Sequence, residues 1–176
     1  MFKNIFLASY PKSGNTWLRS IILSSLQQNN IINIKDLSKI RLLSDKMNFT
    51  SFKNKIYDKK GLIDYDWMSK NLILCQKKLN EKTKYNFFFK THSVRHKSFT
   101  NKTVNAGFIY IVRDPRDIVV SLSNFTGINL DEAINQIVFN KQLMTNANGA
   151  RELVSNWDLN IKSWLEYKSV PCLFIR

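Results

Sequence analysis

The start of the chain constrains the fold most, because an apolar run is followed there by a turn and then by a helical pattern. Asn4–Tyr10 is short and apolar and leads into Pro11 and a glycine-containing turn, which predicts a buried strand. After the turn, apolar residues recur at helical spacing from Trp17 to Leu26. Strand, loop and helix in this order form half of a βαβ unit.

The rest of the sequence continues the alternation of strands and helices. A helix is predicted over Asp66–Leu79, followed by strands at Phe87–Phe89 and Gly107–Val112 that a polar loop joins. A helix then starts at Asp114 and Pro115, and the chain ends in a predicted strand from Pro171 to Arg176. Two further helices lie between them, one carrying Leu130, Ile134, Ile137, Val138 and Met144, and the other carrying Leu153, Val154, Trp157, Ile161, Trp164 and Leu165. The lysine-rich stretch from about 33 to 62 supports no assignment. We therefore expect one α/β domain over residues 1–176, with a P-loop-like parallel sheet flanked by helices on both faces.

The charge and the cysteine content of the chain argue against a nucleic-acid partner and against a disulfide or metal site. The formal net charge of +14 suits an anionic partner, but the basic residues are scattered and form no block interleaved with exposed aromatic residues. Cys75 and Cys172 lie far apart in apolar stretches, so we expect buried thiols in a reducing compartment and not a disulfide or metal site. The opening apolar run is too short for a signal peptide or a membrane span. These features predict a cytoplasmic protein with no nucleic-acid partner.

The loop after the first predicted strand, Tyr10-Pro-Lys-Ser-Gly-Asn-Thr-Trp17, has the composition of a phosphate-binding loop. Backbone N–H groups at a helix N-terminus attract anions, and Gly14 permits a close approach of the chain to a phosphate. Lys12 adds positive charge to the loop. The nucleoside-triphosphate P-loop pattern is not met, since Ser9 and Asn15 stand where that pattern requires Gly and Lys.

Two further polar segments follow the next two predicted strands. Lys90 and His92 are two residues apart in an extended segment, so their side chains point to the same side. A histidine of near-neutral pKa suits a general base, although a lone histidine after a strand is more often structural. Arg113 ends the strongest strand, and Ser121 lies on the following helix. A guanidinium and a hydroxyl at this spacing can converge on one phosphate. Alternatively, each side chain lies at the protein surface and the two share no ligand.

Together these three segments resemble those of sulfotransferases. The chain has Tyr-Pro-Lys-Ser-Gly-Asn-Thr-Trp from residue 10, Lys-Thr-His from residue 90, and Arg-Asp-Pro-Arg-Asp-Ile-Val-Val-Ser from residue 113. The resemblance implies that the first segment holds the phosphosulfate of 3′-phosphoadenosine-5′-phosphosulfate (PAPS), the second carries the base, and the third binds the 3′-phosphate. The implied cofactor-binding residues are Lys12, Ser13, Gly14, Asn15 (through its backbone), Thr16, Trp17 (stacked on adenine), Arg113 and Ser121, and the implied catalytic residues are His92, Lys12 and Lys90.

The resemblance predicts a metal-independent enzyme that transfers a sulfonate group from PAPS to a small-molecule or carbohydrate acceptor. Arg116 and Asp117 are expected to support the helix start. Tyr65, Trp67 and the 91–106 loop are candidates for the acceptor site. The chain matches only the N-terminal two-thirds of the family pattern, so we expect a fragment that is a poor enzyme alone. The alternatives are a P-loop-type small-molecule kinase and a non-enzymatic basic nucleic-acid-binding domain.

Overall fold

The apolar runs of the sequence form one parallel sheet. The computed structural model describes residues 3–27, 33–139, 143–145 and 151–176. The sheet has four strands in the order β2-β1-β3-β6, all parallel. Its strands are β1 (Asn4–Ser9), β2 (Phe87–Thr91), β3 (Asn105–Ile111) and β6 (Cys172–Ile175). A separate antiparallel ribbon pairs β4 (Leu143–Thr145) with β5 (Arg151–Leu153).

Helices connect the strands of the sheet. The α-helices are α1 (Asn15–Gln27), α2 (Tyr65–Lys70), α3 (Leu72–Lys82), α4 (Pro115–Thr126), α5 (Leu130–Phe139) and α6 (Trp157–Leu165). Two short 3-10 helices, Ile34–Lys39 and Lys46–Phe52, occupy the lysine-rich stretch that supported no assignment from the sequence. The resulting α/β fold, with a parallel sheet between helices, confirms the predicted fold class.

Alternating side chains of β1 enter cores on opposite faces of the sheet. Phe6 packs with an aromatic cluster centred on Trp164, with 5.9 Å between their ring centroids, and Trp164 is only 2% exposed. Leu7 packs on the other face with Leu23 of α1 and with Ile40. A strand covered on both faces must be apolar along its whole length, which explains the uninterrupted apolar run in the sequence.

The register of the central strands brings their carboxyl ends to one level. Ala8 lies beside Thr91 of β2, and Ser9 lies beside Ile111 of β3. The three polar segments follow these strand ends directly, so they meet at one edge of the sheet. Ligands of open α/β sheets bind at this edge.

Several sequence predictions need correction. The helix expected over Asp66–Leu79 is two helices, because the chain turns at Asn71, where φ is −113° and ψ is 20°. Met144 lies in β4 and not in a helix. Leu153 lies in β5, and α6 begins only after Asn156, whose side chain caps it by accepting a hydrogen bond from the Leu159 N–H. Apolar residues of a short ribbon and of the helix after it can together mimic helical spacing.

The two cysteines have different environments. Cys75 is buried, as expected, and burial raises the pKa of its thiol to about 12. Cys172 is exposed, so the prediction of a buried thiol is wrong at this position. The reason is topological, because β6 is the outermost strand of the sheet. Within the described ranges, no helix combines the length and the apolar character needed to cross a membrane.

Candidate active site

A cleft of about 490 Å³ lies at the carboxyl ends of β1, β2 and β3. Every cofactor-binding and catalytic residue predicted from the sequence lines it except Ser13. The predicted residues in its wall are Lys12, Gly14, Asn15, Thr16, Trp17, Lys90, His92, Arg113 and Ser121, and the unpredicted ones are Pro11, Leu42, Phe125 and Glu152. The fold therefore assembles three separate sequence segments into one site.

The loop between β1 and α1 has a backbone conformation that few residues adopt. Gly14 has a φ of +99°, and Lys12 has a φ of +68° although it is not glycine. Such a conformation at a residue with a side chain is strained, and strain of this kind clusters at functional sites. The Lys12 carbonyl accepts a hydrogen bond of 2.9 Å from Nη1 of Arg113, which ties the loop to the end of β3.

The ammonium group of Lys12 lies over the ring of Phe125 on α4, 3.8 Å from the ring centroid. This is a cation–π contact at the surface of the cleft, since Phe125 is 74% exposed. Phe125 was not predicted as a site residue. The available signal was its position four residues after Ser121 on the same helix, which places both side chains on one helix face.

Asn15 and Ser13 have different roles in the loop. The Asn15 amide is buried and donates to the Leu7 carbonyl at 2.9 Å and to Ser9 Oγ at 3.2 Å, so its side chain holds the loop against β1. Ser13 is only 5% exposed, and its Oγ has no hydrogen-bond partner among the described residues. A buried hydroxyl without a hydrogen-bond partner is costly to the fold.

His92 is oriented by the end of β1. Its Nδ1 lies 2.8 Å from the Ser9 carbonyl oxygen and 3.2 Å from Ser9 Oγ. A carbonyl can only accept, so Nδ1 carries the proton and Nε2 is left as the basic nitrogen. Burial, with Lys90 as a second cause, lowers the pKa of His92 to about 3. The imidazole is therefore neutral across the physiological range.

Lys90 is the second predicted site residue of the Lys90–His92 segment, and it lies within β2, one residue before the strand ends. Burial lowers the pKa of Lys90, the nearby Glu152 carboxylate opposes this shift, and Arg19 adds to it. A bridge between Leu42 and Lys90 adds a short stretch of parallel pairing at the outer side of β2. Lys90 and His92 both line the cleft, which confirms that their side chains point to the same side.

Glu152 of β5 is a residue of the cleft that sequence reasoning missed. It is 7% exposed and accepts hydrogen bonds from the Thr91 hydroxyl at 2.9 Å and from the His92 N–H at 2.7 Å. Burial raises the pKa of its carboxyl group. No local pattern marked Glu152, because it lies 60 residues from His92 in a strand of three residues. The carboxylate holds the backbone from which His92 projects.

Arg113 faces the cleft from the β3–α4 connection, and Ser121 faces it from α4. Asp114 caps α4 by accepting a 2.9 Å bond from the Arg116 N–H, and the Arg116 guanidinium holds the pKa of Asp114 at about 2. Asp117 lies in the first turn of α4, where a negative charge stabilises the helix start, and its carboxylate also lies 3.8 Å from Nε of Arg113. The cap and Pro115 together fix where the strand ends and the helix begins.

Two other expectations concern metals and the acceptor. Across residues 3–27, 33–139, 143–145 and 151–176, no group of three or more His, Cys, Asp and Glu side chains is arranged to hold a metal ion. Tyr65 and Trp67 do not line the cleft. Both pack against the main hydrophobic core, where Trp67 lies 5.7 Å from the ring centroid of Phe52.

Several solved structures resemble this fold at low sequence identity. Retinol dehydratase in complex with androsterone and the inactive cofactor PAP is 18% identical with a TM-score of 0.53, over 98% of this chain and 53% of that chain. Mouse sulfotransferase SULT7A1 complexed with PAP is 20% identical with a TM-score of 0.50, over 98% of this chain and 51% of that chain. The chain thus spans about half the length of these proteins.

The comparison with protein families covers nearly the whole chain. No curated protein matches it significantly. The model of the sulfotransferase domain matches residues 2–175, a range that includes all three strand-end segments. The chain belongs to the sulfotransferase domain family.

Proposed function

We propose that this cleft binds PAPS and transfers its sulfonate group to a hydroxyl or amine of an acceptor. The observation that carries the proposal is the convergence of Lys12, His92 and Arg113 on one cleft from three neighbouring strand ends. The structural neighbours named above were solved with PAP, the desulfonated form of PAPS. Membership of the sulfotransferase domain family supports the same chemistry.

The cleft has the features that a phosphosulfate requires. The backbone N–H groups at the start of α1 and the open space at Gly14 form a cradle for an anion. Trp17 is 77% exposed at the cleft, which leaves its ring free to stack on a purine. Arg113 and Ser121 supply a guanidinium and a hydroxyl for a second phosphate, namely the 3′-phosphate.

His92 is the general base in this proposal. Its Nε2 accepts the proton of the acceptor hydroxyl, while the Ser9 carbonyl stabilises the imidazolium through Nδ1–H. Lys12 and Lys90 stabilise the negative charge that develops on the oxygens around the transferred group. Bound PAPS supplies an activated sulfonate, and the side chains of this chain supply the proton acceptor and the positive charge.

A transfer assay tests the proposal directly. We expect the protein to convert PAPS and a phenol or amine to the sulfonated acceptor and PAP, at the low rate that the partial match to the family pattern predicts, and we expect His92→Ala to abolish this conversion. Calorimetry with PAP, with AMP as the control nucleotide, tests the donor site separately. Failure to bind PAP more tightly than AMP would refute the assignment of the cleft.

A further inference from the structure

A second cavity, of about 460 Å³, lies next to the proposed donor cleft. The two cavities share Leu42 and Lys90 in their walls. A molecule in the second cavity can therefore reach the Lys90 side of the donor cleft without occupying the phosphate loop. This position and this volume suit a small acceptor.

The wall of the second cavity combines apolar and basic side chains. Ile34, Leu37 and Met47 supply apolar surface, and Ile34 is 87% exposed while Met47 is 54% exposed. Large apolar side chains left exposed beside a cavity are typical of ligand-binding grooves. Arg19 and Arg41 add two guanidinium groups to the positive charge of Lys90.

Among the described residues, neither guanidinium group of this wall pairs with a carboxylate, whereas the Glu152 carboxylate lies near enough to Lys90 to raise its pKa. Arg19 donates to the carbonyls of Leu37 and Ile40, and Nε of Arg41 donates to the Ser38 carbonyl. None of the salt bridges between described residues involves Arg19, Arg41 or Lys90.

The acidic residue in the wall does not offset this charge by direct pairing. Asp45 is engaged as a helix cap, where it accepts a 2.8 Å bond from the Met47 N–H. Arg19 also has a buried Nε without a partner among the described residues. An anion in the cavity would supply the negative charge that pairs with these guanidinium groups.

We propose that this second cavity binds the acceptor, and that the acceptor carries an anionic group, such as a carboxylate or a sulfate ester, on an apolar body. This proposal rests on the proposed sulfonate transfer. The anionic group pairs with Arg41 and lies near Arg19, and the apolar body covers Ile34 and Met47. The acceptor hydroxyl extends past Lys90 toward His92. Its oxygen bonds to sulfur as its proton passes to His92, and the electron pair of the broken sulfur–oxygen bond stays on PAP.

Two acceptors that differ only in charge test this proposal. With the whole chain and PAPS, we expect 6-hydroxy-2-naphthoate to have a kcat/KM about tenfold or more above that of 2-naphthol, as one charge-assisted contact suggests. Arg41→Gln should remove most of this preference, whereas Arg41→Lys should keep part of it. Lys46→Gln is the matched control, because it removes one positive charge from the same segment outside the cavity wall.

A binding measurement separates this proposal from the proposed function. Calorimetry with 2-naphthoate and with neutral 2-naphthalenemethanol requires no turnover. We expect 2-naphthoate to bind more tightly, and Arg41→Gln to weaken that binding about tenfold without changing PAP affinity. If the two probes bind equally well, the proposal of an anionic acceptor is wrong even if sulfonate transfer is observed. The same holds if Arg41→Gln leaves the affinity for 2-naphthoate unchanged. Selective binding of 2-naphthoate without sulfonate transfer would support the cavity and count against the proposed function.

Discussion

Nδ1 of His92 lies 2.8 Å from the carbonyl oxygen of Ser9, the last residue of β1. This contact joins the end of one strand to the histidine that follows the neighbouring strand. It fixes the tautomer of the imidazole, because the proton on Nδ1 leaves Nε2 as the basic nitrogen. Ser9 also receives a hydrogen bond from Asn15 of the phosphate loop, so the donor loop and the proposed base share one support.

Replacement of the proposed base His92 should lower the rate of sulfonate transfer and leave the affinity for PAP almost unchanged. We expect His92→Ala to lower kcat by at least about 100-fold, because general base catalysis contributes about that much or more. PAP affinity, measured by calorimetry, should change little. His96→Ala is the control, since His96 is exposed and lies outside the cleft. A His92→Ala variant with an unchanged rate would remove His92 from the mechanism.

Stability should depend on pH through His92. Its pKa is about 3 in the folded protein and about 6.5 in an unfolded chain, so the unfolded chain binds more protons between these values. We therefore expect the wild type to lose stability as the pH falls from 6.5 toward 4, relative to His92→Gln, which cannot titrate. Urea unfolding of both proteins at pH 7 and pH 5 measures this difference. An equal difference at both pH values would contradict the low pKa.

Lys12 should act on the transferred group more than on nucleotide affinity. We expect Lys12→Ala to lower kcat by orders of magnitude while PAP affinity falls less, because PAP lacks the sulfonate. Phe125→Leu should lower kcat several-fold, since an exposed cation–π contact is worth about 0.5–1 kcal/mol. Lys39→Ala is the control outside the cleft. A loss of PAP affinity with kcat unchanged at saturating PAPS would show that Lys12 serves binding alone.

Arg113 should provide selectivity for the 3′-phosphate. We expect the wild type to prefer PAP to AMP, and Arg113→Ala to reduce this preference by about 1.5–3 kcal/mol, the range for charge-assisted hydrogen bonds. Arg116→Ala is a close control, because Arg116 lies on the same connection but pairs with Asp114 away from the cleft. Calorimetry with both nucleotides measures the preference, and a wild type without any preference would refute the role of Arg113.

Glu152 should support both the fold and the base. Glu152→Ala leaves two hydrogen-bond donors unpaired, the Thr91 hydroxyl and the His92 N–H. We expect each unpaired donor to lower the free energy of unfolding by about 1–3 kcal/mol. Glu152→Gln keeps an acceptor oxygen and should be milder. Denaturant unfolding measures stability, and kcat with saturating PAPS reports on the base. Glu166→Ala at an exposed position is the control. A stable Glu152→Ala protein with normal turnover would show that this carboxylate positions nothing.

Local patterns in the sequence predicted the strands that carry the site. Apolar runs bounded by turn residues predicted β1, β2 and β3, because strands covered on both faces need apolar side chains throughout. The cap formed by Asp114 and Pro115 predicted the start of α4. The same patterns failed between residues 143 and 157, where a short ribbon precedes α6. A three-residue strand has too few side chains to show a period of its own.

By itself, the sequence determined which segments are candidates to bind phosphate or carry a base, because these candidates depend on contiguous residues such as Tyr10–Trp17 and Lys90–His92. Only the tertiary structure decided that Glu152 supports His92 and that Phe125 lies beneath the Lys12 ammonium. It also decided the tautomer of His92, which depends on the carbonyl of a residue 83 positions away. Contacts between residues distant in sequence are set by strand order and register, and a pattern along one chain contains neither.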